Sequence, residues 1–342
     1  MSKKIKRICS TETVYPLFLY FLICGYNEED IFIFSEGFPK SIRNNLNHIC
    51  FPKIQFYSGY KFAPLNSIDG IIKNIKGYFK YLFGILKLRF LLFIKTFNYE
   101  VEIYGHAQTP FSFPFYEFEK SYLLEDGLGN YYDLKETPKK NFILEKVLHF
   151  LGVYIYSAKE GYGTHKNIKK VYLTKDMAPD IVKNKVEIVD LKKMWNEKSN
   201  EEKNKILNVF NLKNDFFNDK KINKTILLTE PFSEDGHLTF EEELNIYKNI
   251  IKKYKSEEIL IKTHPREIKD YRKIFPNIEV IDTPFPVELL SIIGLKIDKI
   301  VTICSSAVLN FNDCQIEFYD GEISSKDIIK ATEFLKNKLK NS

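Results

Sequence analysis

Residues 258–266 read E-I-L-I-K-T-H-P-R, a pattern in which a short buried strand ends at a turn. The apolar run Ile259–Ile261 is typical of such a strand, and Pro265 suits the first position of a helix through Ile274. The pattern predicts that His264 lies at the carboxyl end of a strand, beside a helix N-terminus. Ligands of open α/β sheets bind at that end, and helix N-termini favour anions. The alternative is an ordinary histidine in a strand-to-helix loop.

The composition is that of a globular protein, with 342 residues of which 44% are hydrophobic and 28% are charged. This length is typical of about two domains. The formal net charge of +6 suits an anionic ligand or surface, and it is too modest to indicate a nucleic-acid partner. No stretch reaches the roughly 18 apolar residues that a membrane-spanning helix needs.

The cysteines are Cys9, Cys24, Cys50, Cys304 and Cys314. Their number is odd and they form no C-x-x-C pair, which argues against a zinc site or a disulfide framework. We therefore expect a reducing, cytoplasmic compartment. The basic N-terminus and the apolar Val14–Tyr26 imitate a signal peptide, but the polar residues 10–13 separate them, so we expect a strand followed by a helix.

Strand and helix patterns alternate along the chain, beginning with a strand at Ile5–Cys9, a helix capped at Thr11–Thr13 and a strand at Asp30–Ser35. This order predicts a parallel, doubly wound sheet. After a hinge-like segment at 152–163 and a polar connection at 213–224, a second series begins. Further strands are expected at Tyr99–Gly105, Ser121–Glu125, Val171–Thr174, Val186–Val189, Thr225–Leu228, Glu258–Lys262, Glu279–Ile281 and Lys299–Ile303. The sequence thus predicts two Rossmann-like α/β domains, 1–155 and 156–342, facing a central cleft.

Residues 71–97 form a long helical pattern in which lysines and arginine separate apolar residues such as Phe79, Phe83 and Phe90. One interpretation is a core helix with a solvated basic face, which is the ordinary pattern of surface helices. The other is a basic amphipathic helix that contacts an anionic membrane surface. We favour the first interpretation and keep peripheral membrane contact, at the inner face of the cell membrane, as the second.

Polar side chains follow four of the predicted strands. Glu125 and Asp126 are adjacent carboxylates that repel each other, so one of them is a candidate general base with a raised pKa. A second acidic loop, Leu228–His237, follows another strand. The third loop contains His264. In the fourth, Ser305 and Ser306 follow a strand and open a helix, where hydroxyls and N–H groups can hold a phosphate. Turn formation and helix capping are the alternatives for these loops.

Four motifs occur in a fixed order: L-E-D-G-L-G-N (124–130), L-L-T-E-P (227–231), K-T-H-P-R (262–266) and T-I-C-S-S-A (302–307). In this order they resemble the bacterial sialyltransferases of the GT-B fold, most closely glycosyltransferase family 52, the lipooligosaccharide and capsule sialyltransferases. The resemblance spans about Tyr104 to Leu309. It implies an inverting transfer of sialic acid from CMP-sialic acid to a galactose hydroxyl of a surface glycan, without a metal or other cofactor. It also implies a homodimer.

The resemblance implies roles for individual residues. His264 hydrogen-bonds or protonates the leaving phosphate, Ser305 and Ser306 hold that phosphate, and Glu288 binds the ribose. The donor-binding set implied in this way is Thr229, Glu230, Pro265, Glu288, Ser305 and Ser306.

The identity of the base stays open at this point. The acidic-acidic-glycine motif of related families implies Glu125 or Asp126, whereas family 52 implies an aspartate after the strand and proline, here Asp235 or Glu234. Phe232 and Ser233 intervene before that position. We favour Asp235 slightly as the base, with Asp126 near the acceptor or near the base.

Two other functions fit the same residues. A GT-B transferase with another nucleotide sugar, such as a UDP-linked donor, would use Ser305, Ser306 and Glu288 equally well. A non-catalytic protein that binds a nucleotide or sugar needs no base, so the two acidic loops together with His264 disfavour it.

Overall fold

The computed structural model describes residues 4–51, 75–107, 112–131, 160–212, 221–311 and 313–340. The chain divides into two compact units, Met1–Met194 and Trp195–Ser342. Each unit contains a parallel sheet with connecting helices, so the predicted α/β class with two Rossmann-like domains is confirmed.

The sheet of the first unit has the strand order β3-β2-β1-β4-β5-β6-β7 in the described residues, and all neighbours are parallel. The strands are β1 (Ile5–Ser10), β2 (Ile31–Ser35), β3 (His48–Phe51), β4 (Glu100–Gly105), β5 (Lys120–Leu124), β6 (Ile168–Leu173) and β7 (Val186–Ile188). After β3 the chain crosses to the other side of β1 and continues with β4, so the switch point of this doubly wound sheet lies between β1 and β4. Ligands commonly bind beside such a switch point.

The helices of this part of the chain are α1 (Val14–Cys24), α2 (Lys40–Arg43), α3 (Ile75–Thr96), α4 (Pro114–Glu117) and α5 (Leu191–Glu197), the last of which crosses the boundary between the units. From Val14 to Leu22, every residue of α1 except Tyr15 is buried. A helix that is apolar on all sides belongs to a core. The apolar N-terminal segment is therefore a core helix, and it ends at Gly25, whose φ of 74° suits glycine.

Helix α3 has a buried apolar face, and it also has a second apolar face that is exposed. Its buried side chains include Ile85, Leu88 and Leu92. Large apolar side chains in and directly after α3 are instead 54% to 70% exposed: Phe79, Phe83, Leu86, Phe90, Phe93, Ile94 and Phe97. The expectation of one apolar core face opposite a solvated basic face is wrong, because the helix carries two apolar faces. Residues 71–74 of the predicted helix lie outside the described residues.

The second unit contains a sheet with the order β10-β9-β8-β11-β12, again parallel throughout its described strands. They are β8 (Lys221–Leu228), β9 (Ile259–Lys262), β10 (Glu279–Ile281), β11 (Lys296–Thr302) and β12 (Gln315–Phe318). The helices are α6 (Asn200–Val209), α7 (Phe240–Ile251), α8 (Tyr271–Ile274), α9 (Glu288–Ile292) and α10 (Lys326–Lys340). The capping box of Thr239 and Glu242 at the start of α7 is confirmed.

The boundary between the units lies at Met194, later than the expected residue 155. The reason is that β6 pairs with β5 and β7 pairs with β6, so both strands extend the first sheet. The expected hinge at 152–163 lies mostly outside the described residues. The polar connection expected at 213–224 is partly wrong, because Lys221–Lys224 already belong to β8. Among the described helices, none is long and apolar enough to cross a membrane.

Candidate functional site

The carboxyl ends of three neighbouring strands carry most of the candidate residues in the second unit. β8 lies between β9 and β11, and all three strands are parallel, so their carboxyl ends meet at one edge. Thr229 and Glu230 follow β8, Thr263 and His264 follow β9, and the segment Ile303–Ser306 follows β11. The sequence thus predicted the edge of the sheet at which these residues gather.

His264 is held by hydrogen bonds at both its main chain and its ring. Its N–H donates to Oε2 of Glu267 at 2.8 Å and to Oγ1 of Thr229 at 3.2 Å. Its ring Nδ1 accepts the main-chain N–H of Arg266 at 3.2 Å. Because an accepting ring nitrogen carries no proton, the ring proton of the neutral imidazole lies on Nε2.

The helix predicted to begin at Pro265 is absent, and that prediction is wrong. Residues 265–266 form a turn, and the next helix, α8, begins only at Tyr271 with Asp270 as its N-cap. The side chain of Glu267 binds the N–H of His264 and closes this turn. His264 therefore has no helix N-terminus beside it at Pro265, and charged side chains must supply the attraction for an anion.

The electrostatic surroundings keep the His264 ring neutral. Burial lowers the pKa of His264 well below its usual range, and the positive charges of Arg266, Lys262 and Lys269 lower it further. A neutral ring with its proton on Nε2 is a hydrogen-bond donor for an anion. Negative charge placed beside it would raise its pKa and favour uptake of a second proton, which gives an imidazolium that can act as an acid.

Lys262 is a buried cation at the end of β9 that sequence analysis missed. Its Nζ donates to the carbonyl oxygen of Thr263 at 2.9 Å and lies 4.5 Å from the centre of the Phe285 ring. Burial lowers its pKa to about 8, although the negative charges of Glu267, Glu288 and Asp282 oppose this. The only sequence signal was a lysine that ends an apolar strand.

Glu230 and Ser305 are brought together by β8 and β11. The Ser305 hydroxyl donates a hydrogen bond to the Glu230 carboxylate. Burial raises the pKa of Glu230 to about 7, while this hydrogen bond and the charge of Arg266 oppose the rise. The main-chain N–H of Glu230 donates to the Tyr247 hydroxyl at 2.8 Å, which fixes the turn after β8. This carboxyl group therefore exchanges its proton near neutral pH.

Ser306 and Glu288 begin short helical segments of the same unit. Ser306 opens a 3₁₀ turn that ends at Asn310, and neither it nor Ser305 precedes a long helix. The expected phosphate site at the N-terminus of a long helix is therefore absent here, and the two serine hydroxyls and the 3₁₀ turn are what this segment offers a phosphate. Glu288 is the first residue of α9 and is buried.

Asp235 forms an ion pair with both of its carboxylate oxygens. Nη1 of Arg266 donates to Oδ1 at 2.7 Å and Nη2 donates to Oδ2 at 2.8 Å. Paired parallel hydrogen bonds of this kind are among the stronger ones in proteins. To act as a base, Asp235 would first have to release Arg266, so the geometry disfavours the base that the sequence slightly favoured. Glu234 is also engaged, by Lys269 and by the N–H of Ile268.

A cluster of three carboxylates surrounds Lys269, whose side chain is only 7% exposed. Its Nζ contacts Glu234, lies 3.1 Å from Oε1 of Glu243 and lies 3.4 Å from Oε1 of Glu267. Ligand atoms of the three carboxylates lie within 4.8 Å of one another, an arrangement that could hold a metal ion. The ammonium group already supplies the positive charge there, so we assign the cluster a structural role beneath the His264 turn.

In the first unit, the adjacent carboxylates Glu125 and Asp126 have different surroundings. Glu125 is buried, and its Oε2 accepts the N–H of Thr174 at 2.7 Å and its hydroxyl at 2.8 Å. Burial raises the pKa of Glu125, while hydrogen bonds from Tyr131 and Thr174 oppose the rise. Burial, and not repulsion between the two carboxylates, is thus the main cause. These contacts give Glu125 a structural role.

Asp126 is the more accessible carboxylate, with a side chain that is 24% exposed. Its Oδ1 accepts the Thr13 hydroxyl and lies 3.6 Å from Nδ1 of His106. His106 is buried, and its Nδ1 lies 3.3 Å from Oγ1 of Thr11. Because β1, β4 and β5 are neighbours, the residues that follow them meet at the carboxyl edge of the sheet. Sequence analysis missed His106 and Thr11, which lie in no recognised motif.

Comparisons with known proteins agree with the family resemblance that these motifs indicated. A family model described as glycosyltransferase family 52 matches residues 69–326. An uncharacterized protein of Haemophilus influenzae strain Rd is 34% identical over 250 residues, which cover 70% of this chain and 75% of that protein. The GT-B domain of a sialyltransferase from Photobacterium damselae covers 98% of this chain and 96% of that chain, with a TM-score of 0.50 and 14% identity. At that identity the structural likeness shows the fold alone, which is of GT-B type.

Proposed function

The chain belongs to glycosyltransferase family 52, and from this premise we propose that it is an inverting, metal-independent sialyltransferase. It moves sialic acid from CMP-sialic acid to a terminal galactose hydroxyl of a surface glycan, such as lipooligosaccharide or capsule. The sialyltransferase of Photobacterium damselae, which shares the fold, supports this choice of sugar. The other support is the chemistry of two residues, each at the carboxyl edge of its own sheet: His264 in the second unit and Asp126 in the first.

The observation that carries this proposal is the neutral His264 ring, with its proton on Nε2, beside Lys262 and Arg266. As the bond between sialic acid and CMP breaks, negative charge grows on the departing phosphate oxygen. The Nε2–H group stabilises that charge by donating a hydrogen bond. The bound phosphate also raises the pKa of the ring, so Nδ1 can take up a proton from solvent when its bond with the Arg266 N–H is released. The resulting imidazolium can then give its Nε2 proton to the leaving oxygen.

The remaining donor-binding residues act around this phosphate. The hydroxyls of Ser305 and Ser306 hold its oxygens, and Glu288 accepts hydrogen bonds from the ribose hydroxyls. Thr229 positions the main chain of His264 through its hydroxyl. When Glu230 is protonated, it can donate to the Ser305 oxygen and leave the Ser305 proton for the phosphate. Pro265 keeps the turn between β9 and α8 rigid, because its ring fixes φ.

We assign the base to Asp126. In the described part of the chain, its hydrogen bond and its contact with His106 both fall on Oδ1, so Oδ2 is available to an acceptor hydroxyl. The acceptor oxygen attacks as the sugar passes through an oxocarbenium-like state, and Asp126 takes the hydroxyl proton. Glu125 is buried, so an acceptor hydroxyl has less access to it than to Asp126. Both carboxylate oxygens of Asp235 are paired with Arg266.

The proposal includes a cytoplasmic, homodimeric enzyme. All five cysteines are free, which suits a reducing compartment. The homodimer rests on the family resemblance, and light scattering of the purified protein tests it. A monomer at all concentrations would remove the dimer from the proposal and leave the chemistry unaffected.

The test of the function is CMP release from CMP-sialic acid, with and without lactose, for the wild type, His264→Ala and His237→Ala. His237 is exposed and serves as the matched histidine control. We expect lactose to stimulate release, and we expect His264→Ala alone to lower it by about a hundredfold or more. Turnover with a UDP-sugar but not with CMP-sialic acid would move the proposal to another donor. Nucleotide binding without any turnover would support a non-catalytic binding protein.

A further inference from the structure

The outer face of α3, defined as Phe79, Phe83, Leu86, Phe90, Phe93, Ile94 and Phe97, is an exposed apolar surface on the first unit. Its members recur every three or four residues, so they lie along one side of the helix. The side that contains Ile85, Leu88 and Leu92 is buried in the protein. Contiguous apolar surfaces of this kind are rare on soluble monomers and mark interaction sites.

The charges along α3 indicate what covers this face. The helix sequence contains five basic residues, Lys76, Lys80, Lys87, Arg89 and Lys95, and no acidic residue. Lys80 and Lys87 follow Phe79 and Leu86 by one position, which places them on one flank of the outer face. Long lysine side chains can extend from an apolar surface to a charged boundary. Arg89 is instead engaged by Glu117 and by the Phe113 ring.

This combination fits a lipid surface better than a second copy of the chain. In a symmetric dimer the same patch meets itself, so the lysines of one copy would approach those of the other. An anionic bilayer instead offers an apolar layer for the phenylalanines and negative headgroups for the lysines. We propose that the outer face of α3 docks the protein onto an anionic phospholipid bilayer.

The topology of the first unit connects this docking to the site. β4 begins at Glu100, soon after α3 ends at Thr96, so the C-terminal end of α3 lies at the amino edge of the sheet. The 22 residues of the helix span about 33 Å, so it runs back toward the carboxyl edge. Asp126 and His106 lie at that edge. Docking through α3 therefore places Asp126 and His106 beside the membrane, from which a lipid-linked glycan would extend. Their role on the acceptor side rests on the proposed function.

The test is co-sedimentation of the full chain with vesicles of phosphatidylcholine alone or mixed with phosphatidylglycerol, at low and high salt. The variants are Phe83→Ala/Phe90→Ala for the apolar face and Lys80→Gln/Lys87→Gln for its basic flank. The matched controls are Ile181→Ala/Ile188→Ala and Lys192→Gln/Lys193→Gln, which change exposed residues elsewhere in the first unit. Circular dichroism verifies that each variant is folded.

We expect the wild type to bind the anionic vesicles and high salt to weaken that binding. Loss of the two phenylalanines should weaken binding at least about tenfold, because each buries a large apolar area in the bilayer. Loss of the two lysines should weaken it about tenfold on anionic vesicles only. The control pairs should bind like the wild type.

The proposal is overturned if the wild type does not sediment with anionic vesicles at low salt, or if the phenylalanine pair can be removed without effect. It is also overturned if binding is equal on neutral vesicles and independent of salt. A vesicle-free dimer that the Phe83→Ala/Phe90→Ala variant dissociates would assign the face to a second copy. Sedimentation requires no turnover, and lactose is a soluble acceptor, so failure here is distinguishable from failure of the sialyltransferase proposal.

Discussion

The ring nitrogen Nδ1 of His264 accepts the main-chain N–H of Arg266 at 3.2 Å, and this bond places the ring proton on Nε2. The same Arg266 directs its guanidinium to Asp235 through two hydrogen bonds. One residue thus sets the tautomer of the histidine with its backbone and holds the nearest aspartate with its side chain. The arrangement favours His264 as a hydrogen-bond donor and leaves Asp235 a structural partner.

The partly buried His264 should make the protein less stable in acid. Its pKa is lowered on folding, so the unfolded chain takes up a proton near its ordinary value of 6.5 that the folded protein does not accept. The free energy of unfolding should therefore fall as the pH falls below that value, by at most about 1.4 kcal/mol per pH unit from this group. His264→Asn keeps an acceptor near Nδ1 and removes the titration. Denaturant unfolding across this pH range should show a smaller loss for the variant, and equal slopes would contradict the prediction.

Substitutions of Asp126 and Asp235 should affect different properties, the first the transfer rate and the second the free energy of unfolding. Asp126→Asn should reduce transfer to lactose by about 10²–10⁴-fold, because the acceptor hydroxyl loses its base. Asp235→Asn should retain transfer within severalfold and lower the free energy of unfolding by about 1 kcal/mol, since it weakens a partly exposed ion pair. Transfer rates and urea unfolding of both variants measure this. The reverse ranking of transfer rates would return the base to Asp235, as the sequence alone suggested.

Glu230 should make donor affinity depend on pH. Its pKa of about 7 means that it is increasingly ionised above that pH, beside the Ser305 hydroxyl that we assign to the donor phosphate. Repulsion between the carboxylate and the phosphate should then raise KM for CMP-sialic acid as the pH rises through about 7. Glu230→Gln stays neutral and should show a flatter KM profile. Glu322→Gln, which changes an exposed carboxylate of the same unit, should behave like the wild type. A wild-type KM that does not change over this range is the contrary result.

The parts of this protein that could be predicted from sequence are those set by local patterns. The apolar run Ile259–Ile261 forms a buried strand, and Thr239 with Glu242 forms the capping box of α7. Both depend on residues within a few positions of each other. The strand-end loops were also predictable, because parallel strands deliver their carboxyl ends to one edge.

The features that were not predictable depend on long-range contacts. The turn at His264 replaces a helix because the Glu267 side chain binds the His264 N–H. Thr229, which follows another strand, binds the same N–H. Periodicity in α3 identifies helical faces but not which of two apolar faces meets the core. The unit boundary moved because β6 and β7 pair with the first sheet, and strand pairing leaves no local signature.

Lys269 should be essential for stability, because it is the only ammonium group in contact with Glu234, Glu243 and Glu267 in the described residues. Lys269→Met leaves three carboxylates crowded together in or near the core, and we expect a loss of about 3–5 kcal/mol in the free energy of unfolding. Lowering the pH should recover part of this loss, because protonation removes the repulsion. Lys273→Met, which changes an exposed lysine nearby, should alter stability by less than about 0.5 kcal/mol.

The same three carboxylates should bind a divalent metal ion once Lys269 is removed. Lys269→Ala removes the ammonium group and leaves three carboxylates whose ligand atoms lie within 4.8 Å of one another. Calcium or magnesium ions should then raise the Tm of this variant, because a divalent cation supplies the missing positive charge. The same ions should leave the wild-type Tm unchanged, since Lys269 already neutralises the cluster. A rise in the wild-type Tm would show that the carboxylates bind a metal in the native protein and would overturn the structural role assigned to Lys269.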